Sequence, residues 1–481
     1  MPEDIKIRQI DDYRWEIPRQ GKMRVPGMIF ADSTLMKDIY LDKSVEQVAN
    51  VAQLPGIVGK SLAMPDIHWG YGFAIGGVAA MDMDKGVISP GGVGYDINCG
   101  VRLIRTSLAK DAVIPRLKDL VDNLYSVIPT GVGSSSSLKL SVKELKDVLV
   151  KGARWAVQRG FGTESDLEKI EESGALESAD PDKVSERALE RGRQQVGTLG
   201  SGNHFLEIGF VDEIYDEQAA ARLGLARDHI TVVIHTGSRG FGYQVCDDSL
   251  KVMMGAVRKY GIELPDRQLA CTPIQSGEGR DYFSAMSAAA NFAWANRQTI
   301  MHWTMETFAK VLGSPAEKLQ MNLVYDVCHN IAKFETHDVD GKKRKVCVHR
   351  KGATRALPAG HPQTPAVYKD IGQPVLIPGD MGRYSYVLIG TEQSLTETFG
   401  SSCHGAGRVM SRKQAVKASR GRNIHSELLK RGIYVRSHGK RTMLEEIPDA
   451  YKDVKDVVNV VHNAGISRKV ARLKPIGVIK G

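Results

Sequence analysis

The sequence predicts an α+β fold in which helices surround central β-sheets, arranged as one large mixed domain over residues 1–481. Two observations support this prediction. Glycine-punctuated stretches of β-forming residues alternate with segments that repeat apolar residues at helical spacing. Five polar signatures that would share one site are also spread over more than half of the chain, so distant segments must fold together. Length alone would favour roughly three domains.

The first half of the chain predicts strands followed by helices. Residues 24–106 are rich in β-forming residues and glycine turns, whereas apolar residues recur at helical spacing over 112–126 and 141–158. Residues 163–193 are rich in both acidic and basic side chains. This composition predicts exposed helices with a break at Asp180-Pro181, because proline interrupts a helix.

The second half continues the mixture. Residues 231–235 predict a buried strand that ends in His235, a position where catalytic groups are common. The longest predicted helix spans 281–312, and a short strand starts at 323–325. A further helix is predicted from Gly405 to position 430. Together these elements predict a mixed fold around a central sheet.

The composition is that of a globular protein, with 42% hydrophobic and 25% charged residues. The polar N-terminus and the lack of any run of ~18 apolar residues predict a cytoplasmic protein without a membrane segment. The six cysteines form no Cys-x-x-Cys pair, which argues against a disulfide scaffold or a zinc ribbon. In a reducing compartment, a thiolate such as Cys99 is available as a metal ligand.

The charge balance favours an anionic partner. The formal net charge is +9 and the pI is 9.0, and much of the excess lies between residues 342 and 441. Lysine and arginine side chains that neutralise phosphates release counterions, so RNA or DNA would suit this surface. For any single basic cluster, a solvated face is the simpler explanation.

Five Gly- and Asn-rich signatures each carry a residue that can bind a metal ion. Histidine, thiolate and carboxylate are usual ligands of transition metals, and this set favours Zn, Mn or Co over Mg alone. A thiolate shared among histidines and a carboxylate could bridge two ions, as is common in phosphoryl chemistry. The candidate ligands are Asp96, Cys99, His204, His235 and His329.

Other cysteines and histidines are less easily assigned. Neighbours in extended structure point to opposite faces, so Cys328 and His329 cannot both line one site, and the histidine is the predicted ligand. His68, in the segment 64–70, is ambiguous between a site residue and a structural turn. The remaining histidines without a Gly or Asn setting are predicted to be ordinary surface or core residues: His229, His302, His337, His425 and His462.

His404 stands in a different setting. Gly405 and Gly407 follow it, and Arg408 and Arg412 come next, where the first turns of a helix are predicted. Backbone N–H groups at a helix start, together with arginines, make an anion cradle. His404 could therefore be a further metal ligand, a general base or a nucleophile toward phosphorus.

Familiar nucleotide motifs are incomplete or missing. The segment 59–61 resembles the end of a phosphate-binding loop, but Leu54 stands where that motif requires glycine. The segment 131–133 lacks the third glycine of a dinucleotide fingerprint. No Lys-x-Asp-Gly motif occurs, although ordinary nucleic-acid ligases carry the nucleotide on its lysine. If this protein is nucleotidylated, another residue type must carry the bond.

Taken together, the signatures resemble the RtcB family of RNA ligases, the GTP- and manganese-dependent enzymes that join tRNA halves after intron excision. The resemblance extends from about residue 60 to the C-terminus. Its motifs are long and occur in the family's order. They are the segments 64–72, 91–102, 200–207, 235–240, 326–330, 349–354, 378–382, 403–408 and 480–481.

The resemblance implies a two-metal centre and a nucleophilic histidine. It implies that the five candidate ligands bind two Mn²⁺ ions, with Cys99 bridging them. It further implies that His404 attacks the α-phosphate of GTP and becomes guanylylated. The RNA 3′-phosphate, obtained by opening a 2′,3′-cyclic phosphate, then takes the GMP, and a 5′-hydroxyl displaces it.

The resemblance also implies a set of GTP contacts. Glu207 can accept two hydrogen bonds from the N–H edge of guanine, which adenine cannot offer. Many relatives have Ser or Thr at the position of Asp380, whose carboxylate suits the base or ribose better than phosphate. The implied contacts are Asn203, Glu207, Asn330, Pro378, Gly379, Asp380, Met381, Ser385, His404, Gly405, Ala406, Gly407, Tyr451 and Lys480.

The implied partners are RNA, in particular tRNA exon halves, and a small activating protein called archease that relatives often use. For RNA phosphates we select Arg239, Lys351, Arg408 and Arg412. Two alternatives remain open at this point. A dinuclear phosphodiesterase or nuclease acting on RNA shares the metal cluster but needs no nucleophilic histidine. An RNA-binding scaffold with a structural metal would bind RNA without turnover.

Overall fold

The computed structural model describes residues 5–481 and confirms the α+β class. Strands and helices alternate along the chain, and most strands collect into two large sheets. The strands are β1 (Arg8–Asp11), β2 (Arg14–Ile17), β3 (Gly27–Phe30), β4 (Ile57–His68), β5 (Ile75–Asp82), β6 (Val87–Ile88), β7 (Gly100–Ala109), β8 (Phe205–Ile214), β9 (His229–Thr236), β10 (Thr272–Pro273), β11 (Asn322–Cys328), β12 (Asn330–Val339), β13 (Lys342–Lys351), β14 (Ala353–Arg355), β15 (Pro374–Ile377), β16 (Ser385–Gly390), β17 (Ser401–Cys403), β18 (Tyr434–Ser437) and β19 (Ser467–Lys480).

The helices lie between these strands and vary widely in length. The longest has 36 residues and several have only one or two turns. They are α1 (Ser33–Ile39), α2 (Ser44–Val51), α3 (Lys110–Val113), α4 (Leu117–Val127), α5 (Val142–Lys151), α6 (Ala153–Gln158), α7 (Glu164–Leu167), α8 (Glu186–Gly192), α9 (Glu217–Leu223), α10 (Arg239–Lys259), α11 (Gly277–Leu312), α12 (Glu392–Thr398), α13 (Arg412–Ala418), α14 (Ile424–Lys430), α15 (Lys440–Glu445) and α16 (Val454–Asn463).

The two large sheets have different strand orders. The first runs β1-β2-β3-β4-β5-β13-β12, antiparallel except for the β3–β4 pair. The second runs β11-β7-β9-β8-β19-β16-β15, and β18 pairs in parallel with β19. Two small pairings, β10 with β6 and β14 with β17, complete the described strands. Chain segments from both large sheets meet at the cavity described below.

Helix α11 forms the centre of the largest hydrophobic core. Its alanine-rich sequence favours a helix, Ser276 caps its start by accepting the N–H of Gly279, and Gly313 ends it at φ +66°. It is buried on nearly every side over residues 285–301, and Phe292 and Trp294 are fully enclosed. A helix enclosed on all sides needs no amphipathic stripe. Its buried polar side chains therefore contact the segments packed around it.

Most predicted elements are confirmed, and one is wrong. Helices α4, α5 and α6 match the predicted segments, and α11 extends the predicted 281–312 helix by one turn at its start. The single helix predicted from Gly405 to position 430 is wrong. The structure places α13 and α14 there, because Ser411 and Asn423 each cap a new helix and Gly421 adopts φ +77° between them.

Within residues 5–481, no helix combines the length and the apolar character that crossing a membrane requires. The prediction that residues 1–481 form a single domain stays a prediction.

Candidate metal and nucleotide site

A cavity of about 310 Å³ collects most of the polar signatures of the sequence. Its wall includes the end of β4, the loop before β7, the end of β9, the β11–β12 junction, the loop after β15 and the segment after β17. Residues separated by more than 380 positions therefore share one site. This convergence is what the scattered signatures predicted.

Sheet topology explains how the candidate ligands meet. Strands β11, β7, β9 and β8 are successive antiparallel neighbours. Cys99 and His204 directly precede β7 and β8, whereas His235 and His329 lie at the ends of β9 and β11. In an antiparallel sheet, the start of one strand lies next to the end of its neighbour. All four residues therefore lie at the same end of these four strands.

The ligand atoms form two overlapping groups that share Cys99. One group comprises Cys99, His235 and His329, and the other comprises Asp96, Cys99 and His204, with all ligand atoms of a group within 4.8 Å of one another. The Cys99 sulfur lies 3.4 Å from Nε2 of both His204 and His235. A thiolate common to two three-ligand groups has the chemistry of a bridging ligand between two ions.

Burial sets the protonation of these groups. It holds the pKa of His235 and of His329 well below the ordinary value, so both rings are neutral and offer a lone pair. Burial opposes ionisation of Asp96, but the adjacent His204 ring outweighs it and lowers the pKa of Asp96 to about 2. Burial and the Asp96 charge raise the pKa of the Cys99 thiol well above its usual range. A bound cation would have to displace that proton.

Arg297 of α11 holds three of the segments that carry these ligands. All five of its N–H groups donate hydrogen bonds, and its side chain is fully buried. It donates to Asn98 O at 2.8 Å, to Thr236 O at 2.9 Å and to both carboxylate oxygens of Asp326 at 2.8 Å. These residues lie beside Cys99, beside His235 and on the strand that leads to His329.

The neighbouring Asn296 performs a similar role for the remaining ligand. Its amide donates to Thr198 O and Gly237 O at 3.1 Å and accepts the Gly197 N–H at 2.7 Å. The same turn supplies Leu199 O, 3.1 Å from Nδ1 of His204. A histidine whose Nδ1–H donates to a carbonyl presents Nε2 as the ligand atom. Sequence reasoning missed both α11 residues, because a polar residue inside a long helix gives no signal of what it contacts.

His404 lies beside the metal groups and is oriented by Asp66. The His404 and His329 ring centroids are 4.8 Å apart. The fully buried Asp66 carboxylate lies 2.5 Å from Nδ1 of His404 and also accepts the backbone N–H groups of His404 and Gly405. Burial opposes the ionisation of Asp66, but the His404 contacts outweigh it and lower its pKa. Nε2 of His404, which lines the cavity, is the ring nitrogen that Asp66 does not contact.

The segment around Asp66 served in the sequence as a family motif and as the setting of His68, and sequence reasoning assigned no role to Asp66 itself. The structure places His68 on the cavity wall, with Nδ1 2.9 Å from Asp66 O. Lys452 fixes the same stretch of backbone by donating to Pro65 O at 3.0 Å and Ile67 O at 2.6 Å. The Met-Pro-Asp signal was present in the sequence, but nothing there connected Asp66 with His404.

Most of the implied nucleotide contacts line the cavity. Asp380 is notable among them, because one carboxylate oxygen accepts the Gly382 N–H at 2.8 Å, while the other is buried without a hydrogen bond from the described chain and lies 3.6 Å from Arg383 Nη1. Burial raises the pKa of Asp380. The lining residues from that set are Asn203, Asn330, Pro378, Gly379, Asp380, Met381, His404, Gly405, Ala406, Gly407, Tyr451 and Lys480.

Glu207 and Ser385 lie behind the wall instead. The Ser385 hydroxyl donates to Glu207 Oε1 at 3.2 Å and accepts the Gly379 N–H at 3.1 Å, so both stand directly under the loop that carries Asp380. Burial, with a further contribution from the Asp380 charge, raises the pKa of Glu207 to about 8. Contact with a ligand would require this loop to shift.

Glu446 organises the far side of the cavity and was missed from the sequence. This buried carboxylate accepts Arg408 Nη1 at 3.1 Å and the Tyr451 hydroxyl, and it lies 4.0 Å from Lys480 Nζ. The Arg408 guanidinium also stacks over the Tyr451 ring. Burial lowers the pKa of Lys480 to about 8. No motif marked Glu446, because two of its partners, Arg408 and Lys480, come from other segments of the chain.

The four selected RNA contacts occupy different settings. Arg412 lines the cavity with a side chain that is 59% exposed, and Arg408 lines it while bound to Glu446. Lys351 also lines it, but its ammonium donates to Tyr71 O and Phe73 O, and burial lowers its pKa to about 7. Arg239 lies off the wall, behind His204, with Nη1 3.4 Å from the His204 Nδ1.

The fold and the site define a class of protein: an α+β protein in which a histidine held against a buried carboxylate lies beside two overlapping groups of residues that could hold metal ions. The chain belongs to the RtcB family, whose model, described as tRNA-splicing ligase RtcB, matches residues 47–481.

Curated relatives agree with this assignment. The tRNA-splicing ligase RtcB of Thermococcus kodakarensis is 58% identical over 482 residues, covering all of both chains. The proteins of the same name from Archaeoglobus fulgidus and Methanococcus maripaludis are 57% and 52% identical, each over 99% of both chains. Family membership favours an RNA ligase of tRNA splicing over the nuclease and scaffold alternatives.

Proposed function

We propose that this protein is a GTP-dependent RNA ligase that joins RNA 2′,3′-cyclic phosphate or 3′-phosphate ends to 5′-hydroxyl ends in tRNA splicing and RNA repair. The single observation that carries the proposal is the position of His404. It is a histidine with a free Nε2, held by a buried carboxylate at Nδ1, beside two overlapping metal-ligand groups. A hydrolase of phosphodiesters needs no such nucleophile.

The chain's own residues support the first step, the formation of a guanylylated histidine. Nε2 of His404 attacks the α-phosphorus of GTP, a P–N bond forms, and pyrophosphate leaves. As charge develops on the imidazole, Asp66 stabilises the Nδ1–H. Lys480 and Arg408 supply positive charge on the opposite wall for the phosphates.

Two Mn²⁺ ions are the metals we propose, held by Asp96, Cys99, His204, His235 and His329. The donor set fits: neutral imidazoles, one carboxylate and one shared thiolate suit a borderline transition metal better than magnesium. When bound, such ions neutralise phosphate charge and polarise the phosphorus under attack.

The remaining steps transfer GMP and then release it. An oxygen of the RNA 3′-phosphate attacks the guanylyl phosphorus, the P–N bond breaks, and His404 is regenerated. The RNA 5′-hydroxyl then attacks the 3′-phosphorus, a phosphodiester forms, and GMP leaves with the proton balance closed by solvent. Arg412, exposed at the cavity, is the best placed of the selected arginines for an RNA phosphate.

Base selection is proposed to involve two carboxyls. Asp380, on the wall, keeps a carboxylate oxygen that accepts no hydrogen bond from the described chain, and Glu207 lies directly behind it through Ser385. Paired N–H groups at the edge of guanine match an acidic acceptor, whereas adenine offers no such pair. An archease-like activator and a cytoplasmic location are part of the same proposal.

The proposal is tested by incubating purified protein with α-labelled GTP and Mn²⁺, followed by a denaturing gel and acid treatment. We expect an acid-labile label on the wild type, none on His404→Ala, and RNA joining lost with it. His302→Ala, which removes a histidine that stacks on Phe161 outside the cavity wall, is the matched control. Joining by His404→Ala would refute the nucleophile, and an unlabelled wild type that hydrolyses RNA would favour the phosphodiesterase.

A further inference from the structure

His68 is a cavity-lining histidine that the proposed steps leave without a role. It follows Asp66 by two residues on β4, so its backbone lies about 7 Å further along the same strand. Asp66 holds the nucleophile His404, and His68 lines the same cavity. The end of β4 therefore carries two side chains, Asp66 and His68, close to the place where the proposed reaction occurs.

Hydrogen bonding fixes which nitrogen of His68 is free. Nδ1 lies 2.9 Å from Asp66 O, and a carbonyl oxygen can only accept, so Nδ1 carries the hydrogen. Burial lowers the pKa of His68 to about 4, so the ring is neutral. Nε2 then holds a lone pair and has no hydrogen-bond partner among residues 5–481. A neutral imidazole with a free Nε2 at a cavity wall is a proton acceptor.

The backbone that carries His68 is held unusually firmly. Three successive carbonyls accept side-chain donors: Lys452 Nζ reaches Pro65 O and Ile67 O, and the His68 ring reaches Asp66 O between them. Gly407 packs so closely that a Cβ at that position would lie 2.2 Å from Asp66 O. The segment thus has little freedom to move, as expected for a pre-organised catalytic group.

We propose that His68 is a further catalytic residue, whose Nε2 accepts the proton of the water molecule that opens a 2′,3′-cyclic phosphate at the RNA end. The inference rests on the proposed ligase function. The water oxygen forms a bond to phosphorus and the P–O2′ bond breaks. O2′ takes a proton from solvent, and His68 returns its proton to solvent, so the products are a 3′-phosphate and a 2′-hydroxyl.

The location argues for this step. The phosphorus that is opened must next present an oxygen to the guanylyl group on His404. His68 lies on the same strand as Asp66, which orients His404. A proton acceptor at this position is therefore beside the RNA 3′-terminal phosphorus before GMP is transferred to it. Guanylylation of His404 and attack by a 3′-phosphate oxygen require no proton acceptor of this kind. The 5′-hydroxyl step does release a proton, but it is common to 3′-phosphate and cyclic-phosphate ends, so a comparison of the two ends isolates the ring opening.

The decisive variant is His68→Asn, because the asparagine amide can still donate to Asp66 O while Nε2 is lost. Three single-turnover rates are measured: guanylylation with α-labelled GTP, joining of a 3′-phosphate end, and joining of a 2′,3′-cyclic phosphate end. We expect only the third to fall, by about 100- to 10,000-fold. His302→Asn, a partly buried histidine on α11, is the control and should leave all three unchanged.

A second variant separates catalysis from positioning. In His68→Ala, added imidazole should restore part of the cyclic-phosphate rate without changing the other two. Equal losses with both RNA ends, or no loss with the cyclic end, would overturn the inference. A wild-type protein that is not guanylylated would instead refute the proposed function, so the two failures are distinguishable.

Discussion

The carboxylate of Asp66 lies 2.5 Å from Nδ1 of His404, although the two residues are 338 positions apart. The same oxygen accepts the backbone N–H groups of His404 and Gly405. The contact therefore fixes the ring, its tautomer and the loop that follows it. A histidine held in this way presents Nε2 to the cavity without needing to reorganise.

The first prediction concerns this contact. Asp66→Asn should slow guanylylation by about 100- to 10,000-fold, because the amide can donate to Nδ1 and so stabilise the wrong tautomer. The rate of label transfer from α-labelled GTP to protein measures it. Asp340→Asn is the matched control, since Asp340 is exposed in the β12–β13 turn and asparagine tolerates its φ of +54°. Unimpaired labelling of Asp66→Asn would refute the orienting role.

The second prediction concerns the shared sulfur. Because Cys99 belongs to both ligand groups and His204 to one, Cys99→Ala should weaken both metal sites and His204→Ala only one. We expect Mn²⁺ bound per chain to fall from two to one in His204→Ala and below one in Cys99→Ala. Equilibrium dialysis with elemental analysis measures this ratio.

The control for the sulfur is Cys246→Ala, which removes a buried thiol of α10 outside both groups and should retain two ions. Spin coupling between two Mn²⁺ ions in the electron paramagnetic resonance spectrum provides an independent reading. Two uncoupled ions in the wild type, or unchanged binding in Cys99→Ala, would contradict a bridging thiolate.

Residue chemistry identified the candidate metal ligands, because a ligand must be a certain residue type. Asp96, Cys99 and His329 were recognisable from their Gly and Asn settings, and the structure brings them together. The contacts that hold them were not predictable. Asp66 contacts His404, and Glu446 contacts Arg408 and Lys480, across long stretches of sequence, and no local pattern encodes such pairings.

The helix predicted after His404 shows a second limit of prediction from sequence. Local periodicity favoured one helix, but the left-handed Gly421 and the Asn423 cap divide it. Arg408 consequently lies outside any helix and reaches Glu446, so a helix-start anion cradle does not describe it. Helix caps at Ser411 and Asn423 and the left-handed Gly421 therefore decided where the helices begin and end.

The third prediction separates positioning from stability on α11. Arg297 and Arg102 both bind the buried Asp326 carboxylate, but only Arg297 also binds carbonyls beside the metal ligands. Replacement of either by lysine keeps the charge but loses the fixed hydrogen-bond geometry of the guanidinium, so it should destabilise the fold by about 1–3 kcal/mol for each buried acceptor left unpaired. Only Arg297→Lys should also lower Mn²⁺ affinity, by about 10- to 100-fold.

Thermal unfolding measures the loss of stability in the two variants. Mn²⁺ titration, at a temperature where both are folded, measures the loss of metal affinity. Arg102→Lys supplies the matched control because it disturbs the same carboxylate. Equal loss of metal affinity in both variants would mean that Asp326, and not the Arg297 contacts to Asn98 and Thr236, sets the ligand geometry.

The fourth prediction follows from the raised pKa of Glu207, about 8 in the ligand-free protein. To accept two hydrogen bonds from guanine, this carboxyl must be ionised, so below pH 8 binding must release its proton. The ratio of GTP to ATP affinity should therefore rise about tenfold per pH unit up to pH 8 and level off above it. Taking the ratio cancels the titration of the phosphates, which the two nucleotides share.

Two variants test the assignment of this titration. Glu207→Gln should give a low GTP to ATP ratio that does not change between pH 6 and 9. In Asp380→Asn the rise should move to lower pH, because the Asp380 charge contributes to the raised pKa of Glu207. A wild-type ratio that is independent of pH would show that Glu207 does not recognise the base. An unchanged rise in Glu207→Gln would assign the titration to another group, with Asp380 the nearest candidate.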